Sequence, residues 1–461
     1  MKIVRHVSTT LSLICAMTTA VAQESGASSD LRESIPERWT YTSEFRQSIP
    51  SEDPWWHSFG DEVLDSLVLQ AEEMNFDILE GAHRSNSARL AMMQSRSAYY
   101  PQIGVTAGYT RDRTTGINTN NWQLGAQMQW EIDLFGKITA NVKSKKALYN
   151  ASRADYAATM VSIAAQTATC YINYRLEQTL VMIAEEHLRS QDEVIKTVNA
   201  RYEAGLVSKL DVAQAYTLYN STRASLPTVQ GLLRQDLNSL ATLVGVYTRD
   251  IAPMLEPQTP LPSFEAIVPV GVPADLLRRR PDILAAEAQL AAAAASLGVA
   301  KKDFLPTLSL VGEFGVEAAK TKDLFTRDGI HYSIGPSLSW TLFDGFSRKY
   351  NVASARESME SAIDAYNLAV MTAVQEVDNA MAAYEAATEA YKYSAEAYRY
   401  SREAFDKSYE LYKAGLSAFS DVSDAQIDSL TYANAMAQNK ANALIALIDI
   451  YKALGGSPKP Y

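Results

Sequence analysis

The chain has 461 residues, 47% of them hydrophobic and 21% charged, and 42 basic against 53 acidic side chains leave a formal charge of -11. That balance excludes a disordered chain, a collagen and a polytopic helical membrane protein, and its sign argues against nucleic-acid binding, because phosphate backbones are repelled. Twenty-five tyrosines suit boundaries where one part of the ring is apolar and the hydroxyl is wet.

At the N-terminus, Lys2 and Arg5 precede an apolar stretch, and Ala20-Val21-Ala22 offers a small-x-small cleavage site. Residues 1–22 therefore read as a signal peptide, too short to span a bilayer. Cleavage after Ala22 changes the charge to (42 − 2) − 53 = -13 and leaves Cys170 as the single cysteine. An exported chain with one thiol is held by packing, not by internal disulfides. Lipidation at Cys15 is a rival reading, but Ile14 replaces the small residue expected before a lipidated cysteine. Residues 23–61 read as an extended N-terminal segment, and no transmembrane helix is predicted beyond the signal.

The rest of the chain is written twice. Arg201-Tyr202-Glu203-Ala204-Gly205-Leu206 with Asp211-Val212 recurs as Leu411-Tyr412-Lys413-Ala414-Gly415-Leu416 with Asp421-Val422, an offset of 421 − 211 = 210. Leu134-Phe135-Gly136 echoes Leu342-Phe343-Asp344-Gly345 at nearly the same offset. Residues 62–250 and 273–456 form two repeats, joined by a Pro-rich linker over 251–272 and followed by a tail over 457–461.

Each repeat opens with a helical arm, over 62–98 and from Pro273 to residue 302. Two strands with a period of two follow. Ile103, Val105, Ala107 and Tyr109 share one face, as do Trp122, Leu124, Ala126, Met128, Trp130 and Ile132. The second repeat places Leu308, Leu310, Phe314 and Val316 opposite polar residues, then Tyr332, Ile334, Leu338, Trp340 and Leu342. Strands of about 10 residues, with Trp122, Trp130, Tyr332 and Trp340 where an aromatic girdle would lie, fit a membrane barrel. A soluble sheet with one wet face has the same alternation. The polar stretches 111–121 and 317–331 read as outward loops.

A long helix follows each strand pair, over 137–201 and 346–411, about 100 Å each. Ala147, Ala151, Ala154, Ala158, Val161, Ala165, Ala168 and Ile172 step by four and three, a coiled-coil seam with close helix approach. The second helix repeats this through Tyr366, Val377 and Tyr384, with one stutter. Return helices over 208–243 and 417–454 make Gly205 and Gly415 the turns of two hairpins. Four strands with open edges cannot stand alone in lipid, so closure needs further copies of the chain.

With Trp55-Trp56, Leu277-Arg278-Arg279-Arg280-Pro281-Asp282-Ile283, Phe304-Leu305-Pro306, Leu342-Phe343-Asp344-Gly345 and the twin Tyr-x-Ala-Gly turns, the sequence resembles the TolC-like outer membrane efflux proteins (the outer membrane factor family). Within these it resembles the NodT-type branch that serves resistance-nodulation-division pumps. The resemblance covers essentially the whole mature chain. It implies an α+β membrane protein: a homotrimer with a 12-stranded barrel in outer membrane lipid and an α-helical barrel crossing the periplasm. It also implies partners, a periplasmic membrane-fusion adaptor protein and a proton-driven inner-membrane pump, and export of drugs, toxic compounds or metal ions, with no enzymatic activity and no cofactor.

Asp421 and Asp424 match the periplasmic gate of that family. They share a helix face, so three copies would stack carboxylates in two rings; helix-start chemistry explains them equally well. Tyr412 and Asp211 match positions that lock the gate, although a basic residue that completes the lock in some members is Ser417 here. The adaptor would meet Gly205, Leu206, Val207, Gly415, Leu416 and Ser417. Five scattered histidines, without metal spacing, and the lack of a phosphate loop speak against an enzyme. A type I protein-secretion exit duct and a soluble periplasmic coiled-coil scaffold are the alternatives.

Overall fold

The computed structural model describes residues 39, 45–46, 54–114, 116–263, 268–270, 273 and 276–456. The signal peptide, most of the N-terminal segment and the tail thus lie outside the described residues. The first half comprises β1 (Phe45–Arg46), a 3-10 turn (Trp55–Phe59), α1 (Glu62–Met74), α2 (Phe76–Arg96), β2 (Gln102–Thr114), β3 (Ile117–Ile132), α3 (Lys137–Glu203) and α4 (Lys209–Val244). A connection carries α5 (Thr248–Leu255) and β4 (Val268–Pro269). The second half comprises α6 (Leu276–Arg279), α7 (Pro281–Lys302), β5 (Thr307–Ala318), β6 (Ile330–Ser339), α8 (Ser347–Lys413) and α9 (Phe419–Ala453). The order of arm, two strands, 67-residue helix and shorter return helix therefore occurs twice.

The strands form one antiparallel sheet in the order β2-β3-β5-β6. Its register aligns the apolar sets of all four strands: Val105 with Ala126, Ala126 with Phe314, and Phe314 with Tyr332. The alternate rows carry Gly104, Gln127, Glu313 and Ser333. The apolar face is uncovered, with Ile103, Val105 and Ile334 at 70 to 74% exposure. From Trp122 to Ile132 β3 runs 132 − 122 = 10 residue steps. That is about 34 Å of strand, or about 25 Å of height at the 40 to 45° tilt usual in membrane barrels, which matches the height of the apolar band such barrels carry.

Two expectations change. Residues 111–121 are not a loop: Arg111 pairs with Asn120 and Thr114 with Ile117, leaving only a turn closed by Gly116 at φ 89°. Past the apolar band the strands have no greasy face, so alternation vanishes from the sequence while backbone pairing persists. β6 ends at Ser339, so Trp340 and Leu342 lie beyond the sheet.

The junction of strands and helices uses the same devices twice. The Trp130 indole N–H donates to the Tyr99 carbonyl (2.9 Å) and the Trp340 indole to the Phe304 carbonyl (3.0 Å). Trp130→Phe keeps the ring and removes the donor, and about 1 kcal/mol of stability is expected to go. The more exposed Trp340 should cost less, and equal unfolding temperatures for wild type and Trp130→Phe would refute the anchoring role. Asp133 accepts from the N–H groups of Ile138 (2.9 Å) and Thr139 (2.8 Å) at the start of α3, and Asp344 accepts from Arg348 Nε (2.6 Å) at the start of α8. Burial alone would raise the Asp133 carboxyl, but the Thr139 and Ile138 donors hold it below the usual carboxylate value; Arg348 does so for Asp344.

The first arm is two helices, not one. Asn75 interrupts it, its side chain accepting from the N–H groups of Asp77 (2.8 Å) and Ile78 (3.2 Å) and donating to the Leu243 carbonyl (2.8 Å). The long helix of the second arm starts at Pro281, not Pro273, with the proline in the first turn where its missing N–H costs nothing. α7 is long and apolar enough to cross a membrane, but its apolarity is largely alanine and it packs between α3 and α8. The linker is not extended throughout, since its beginning is helical (α5), while Val268–Pro269 are extended and pair in parallel with Phe45–Arg46.

The main core gathers at mid-height. Trp55 stacks on Tyr451 at 5.4 Å, and Ile172, Leu240, Val377, Met381, Tyr384 and Leu444 fill the space between the helices. Arg175, 1% exposed, is held there without a direct carboxylate partner among the described residues. Its guanidinium donates to Gln178 Oε1 (2.6 Å), the Pro257 carbonyl (2.8 Å) and the Tyr171 hydroxyl (3.0 Å), and Tyr171 in turn donates to Asp61 (2.6 Å). Cys170 is half-buried and free, its thiol pushed up to about 12 by burial. In α8 the seam residues Ala355 and Met359 remain half-buried in one chain, whereas Val377 and Tyr384 are fully buried.

Candidate functional site

Both hairpin turns close in the same way. At the first, the Gly205 N–H donates to the Tyr202 carbonyl and the Leu206 N–H to the Arg201 carbonyl; at the second, Gly415 donates to Tyr412 and Leu416 to Leu411. The glycines have φ 72° and 78°, the left-handed conformation this cap requires. Leu206 and Leu416 project at 68% and 74% exposure. Val207 and Ser417 do not: both are half-buried, Val207 against the tip core and Ser417 with its hydroxyl near the Ser408 carbonyl (3.4 Å). Leu210, 64% exposed, escaped the sequence reading, although it follows the turn by one helical step.

A small core joins the two tips: Val194 and Val198 of α3, Ala215 of α4, Tyr412 of α8, and Phe419 and Val422 of α9. Tyr412 is 2% exposed, edge-on to Phe419 at 5.7 Å. The Arg201 guanidinium lies 4.5 Å from its ring centre and donates to the Tyr412 carbonyl. Arg201 was visible in the sequence only as part of the repeat, where its counterpart is Leu411.

Asp211 and Tyr412 are not hydrogen-bonded to each other within the chain. The Asp211 carboxylate accepts from the Ser208 N–H (3.1 Å), and the Ser208 hydroxyl accepts from the Asp211 N–H (3.4 Å), a reciprocal capping box. The Tyr412 hydroxyl is buried without a hydrogen-bond partner among the described residues. Burial raises its pKa, Arg201 pulls it back and Asp211 adds to the rise. Asp421 repeats half of the box, accepting from the Ala418 N–H (3.2 Å), so helix-start chemistry accounts for one of its interactions. Asp421 and Asp424 are both exposed and share a face of α9 with exposed Asp428 one turn further on. Asp428 was missed because it lies past the cap, yet its spacing of four from Asp424 is the signal for it.

At the far end, the sheet places Trp122 beside Tyr109, ring centres 4.4 Å apart, with the Tyr109 hydroxyl donating to Asn120 (3.2 Å). Trp130 and Trp340 mark the opposite border. Tyr332 is in register with Phe314 and hence with Ala126, four residues inside Trp122 along β3 (126 − 122 = 4). Among the described residues no group of three or more His, Cys, Asp or Glu side chains could hold a metal.

A sheet greasy on its uncovered face and wet on the other, continued by two hairpins of about 100 Å, is the architecture of an outer membrane channel protein. The model of the outer membrane efflux protein family matches residues 67–246 and 272–456, and the chain belongs to that family. Nodulation protein T of Rhizobium leguminosarum bv. viciae is 28% identical over 85% of this chain and 82% of its own length. Outer membrane protein OprJ of Pseudomonas aeruginosa is 27% identical over 92% and 90%. Among solved structures, the outer-membrane channel OprN superimposes with a TM-score of 0.86 at 29% identity, over 92% of this chain and 98% of that one. The open state of the Neisseria gonorrhoeae MtrE channel gives 0.81 at 27%, over 92% and 95%. The soluble-scaffold alternative falls with this, and the family points to no catalytic role.

Proposed function

We propose that three copies of this chain close a barrel of 3 × 4 = 12 strands in the outer membrane and continue it as an α-helical barrel through the periplasm. The assembly is the exit channel of a tripartite efflux system. One observation carries the reading: β2 and β6 are the outer strands of the sheet, and lipid tolerates no open edge beside an apolar face. Two copies would give a barrel filled by its own side chains, whereas three leave an opening. The half-buried seam of α8 supports a helix of another copy beside it. Names such as the toluene efflux pump outer membrane protein TtgC and the solvent efflux pump outer membrane protein SrpC of Pseudomonas putida support small, toxic molecules as cargo.

At the periplasmic end, Gly205, Leu206, Gly415 and Leu416 form the surface for a periplasmic adaptor, with Val207 and Ser417 supporting it from below. The adaptor links the channel to a resistance-nodulation-division pump. Asp421 and Asp424 line the gate as acid rings that favour cations. For a lock at Asp211, the unpartnered Tyr412 hydroxyl is an available donor, and the Asp211 carboxylate, which gives one oxygen to the Ser208 N–H, keeps the other as acceptor.

In planar bilayers under a KCl gradient, the wild type is expected to form cation-selective channels. Asp421→Asn with Asp424→Asn should move the reversal potential at least halfway to zero. An unchanged reversal potential removes these residues from the gate; absence of any channel removes the proposed function.

A further inference from the structure

Just outside the Tyr109–Trp122 pair the outward face of the first hairpin changes chemistry. Strand alternation puts Arg111 and Arg113 on the side of Ile103, Val105 and Tyr109, in register with Asn120 and Asn118. Both arginines are exposed, and neither has a partner among the described residues. No acid shares that side of the hairpin. Asp112 points to the other face, as do Glu317, which accepts from Asn121 (2.7 Å), and Glu313, which lies 3.7 Å from His331. Acids and arginines are thus sorted onto opposite faces of the same sheet.

Height fixes what the outward pair meets. The Tyr109 hydroxyl donates to Asn120, so its polar end points away from the apolar band and marks where hydrocarbon stops. At about 3.3 Å per residue Arg111 and Arg113 stand about 7 and 13 Å further along the strand, or about 5 and 10 Å in height at a tilt of 40 to 45°, so Arg111 lies at the level of the headgroups and Arg113 just outside them, within reach of its long side chain. The polar headgroup layer outside the hydrocarbon is about 5 to 7 Å thick. Guanidinium forks suit phosphate, which they bind bidentately.

We propose that Arg111 and Arg113 form an outward docking face for the phosphorylated headgroups of the outer-leaflet lipid, held against the rim of β2 and β3. The inference rests on the reading of the sheet as an outer-membrane barrel wall. Asn118 and Asn120, in the paired positions, supply neutral donors beside the two cations.

The test uses the full-length protein in neutral detergent and native mass spectrometry. The probes are lipid A with two phosphates, the same lipid with both removed, and inorganic phosphate. Wild type is expected to prefer the phosphorylated lipid. Arg111→Gln with Arg113→Gln should weaken that binding about thirtyfold, at about fivefold per cation, and leave binding of the dephosphorylated lipid alone. Asn120→Asp, which keeps both arginines and adds an acid to their side, should also weaken it. Equal affinity of the double variant and wild type for the phosphorylated lipid would overturn the proposal, as would displacement of the lipid by millimolar inorganic phosphate. A wild type that forms no channel in planar bilayers fails the underlying reading, whereas a channel with arginine-independent lipid binding fails this inference alone.

Discussion

Gly245→Ala is expected to destabilise the protein by about 3 to 4 kcal/mol, while Gly205→Ala costs about 1 to 2 kcal/mol, although both glycines close helices in the same left-handed conformation. At φ 78° a Cβ on Gly245 would press into the Met74 carbonyl oxygen and lie 3.0 Å from its carbon. That oxygen belongs to the backbone where α1 breaks into α2, and the break is tied to the end of α4 by Asn75 and the Leu243 carbonyl. Neither side can retreat without undoing the other. At Gly205, φ 72°, a Cβ meets nothing within 4 Å, so only the conformational cost remains. Urea denaturation of the two variants separates these terms. Equal losses would mean that the mid-height contact yields and that the close approach is not what holds α4 to the arm.

The second large effect falls on Arg280, whose replacement by alanine should cost about 3 kcal/mol. Its guanidinium is 8% exposed and reaches Asp282 (2.6 Å), Glu376 of α8 (2.6 Å) and the Ala453 carbonyl at the end of α9 (2.8 Å). One side chain therefore ties the start of α7 to both helices of the second hairpin. Burial would lower its pKa, but the two carboxylates outweigh this and raise it, so the pair is held as an ion pair around neutral pH. Gly455, at φ 92°, brings the chain so close that a Cβ would lie 3.0 Å from the Arg279 carbonyl, which closes the same clasp from the other side. A double-mutant cycle of Arg280→Ala and Glu376→Gln reads the coupling. Strict additivity would show that the pair carries no shared energy and that Arg280 acts through Asp282 and the carbonyl alone.

This clasp shows where the sequence was legible and where it was not. The string around Arg280 stood out as a motif, but its task depends on Glu376 and Ala453, 96 and 173 residues away. Distances of that kind leave no local trace. Asn75 escaped notice for the same reason, because its deciding partner lies 168 residues on. By contrast, strand faces, seam alanines and turn glycines follow from spacing within a few residues, and the structure places the turn glycines and most of the strand faces as read, Trp340 and Leu342 excepted, while Ala158 and Val161 of the seam stay half-buried. The hairpin beyond Tyr109 fell between the two cases: its pairing is local, but the polar surroundings at that height remove the hydrophobic contrast that reveals a strand. At the tip, the family-derived lock paired Asp211 with Tyr412, while the nearest donor to that carboxylate is the Ser208 N–H three residues before it.

Both long helices contain 67 residues, and their return helices contain 36 and 35. Equal counts act as a ruler that keeps the two tips level, a condition for presenting them side by side. One added heptad would lower a tip by about 10 Å while preserving the seam. Such a step in one hairpin alone would leave its neighbour short by two helical turns. Reach into the periplasm can thus change only by matched insertions in four helices at once, which makes length the most tightly shared quantity between the two halves.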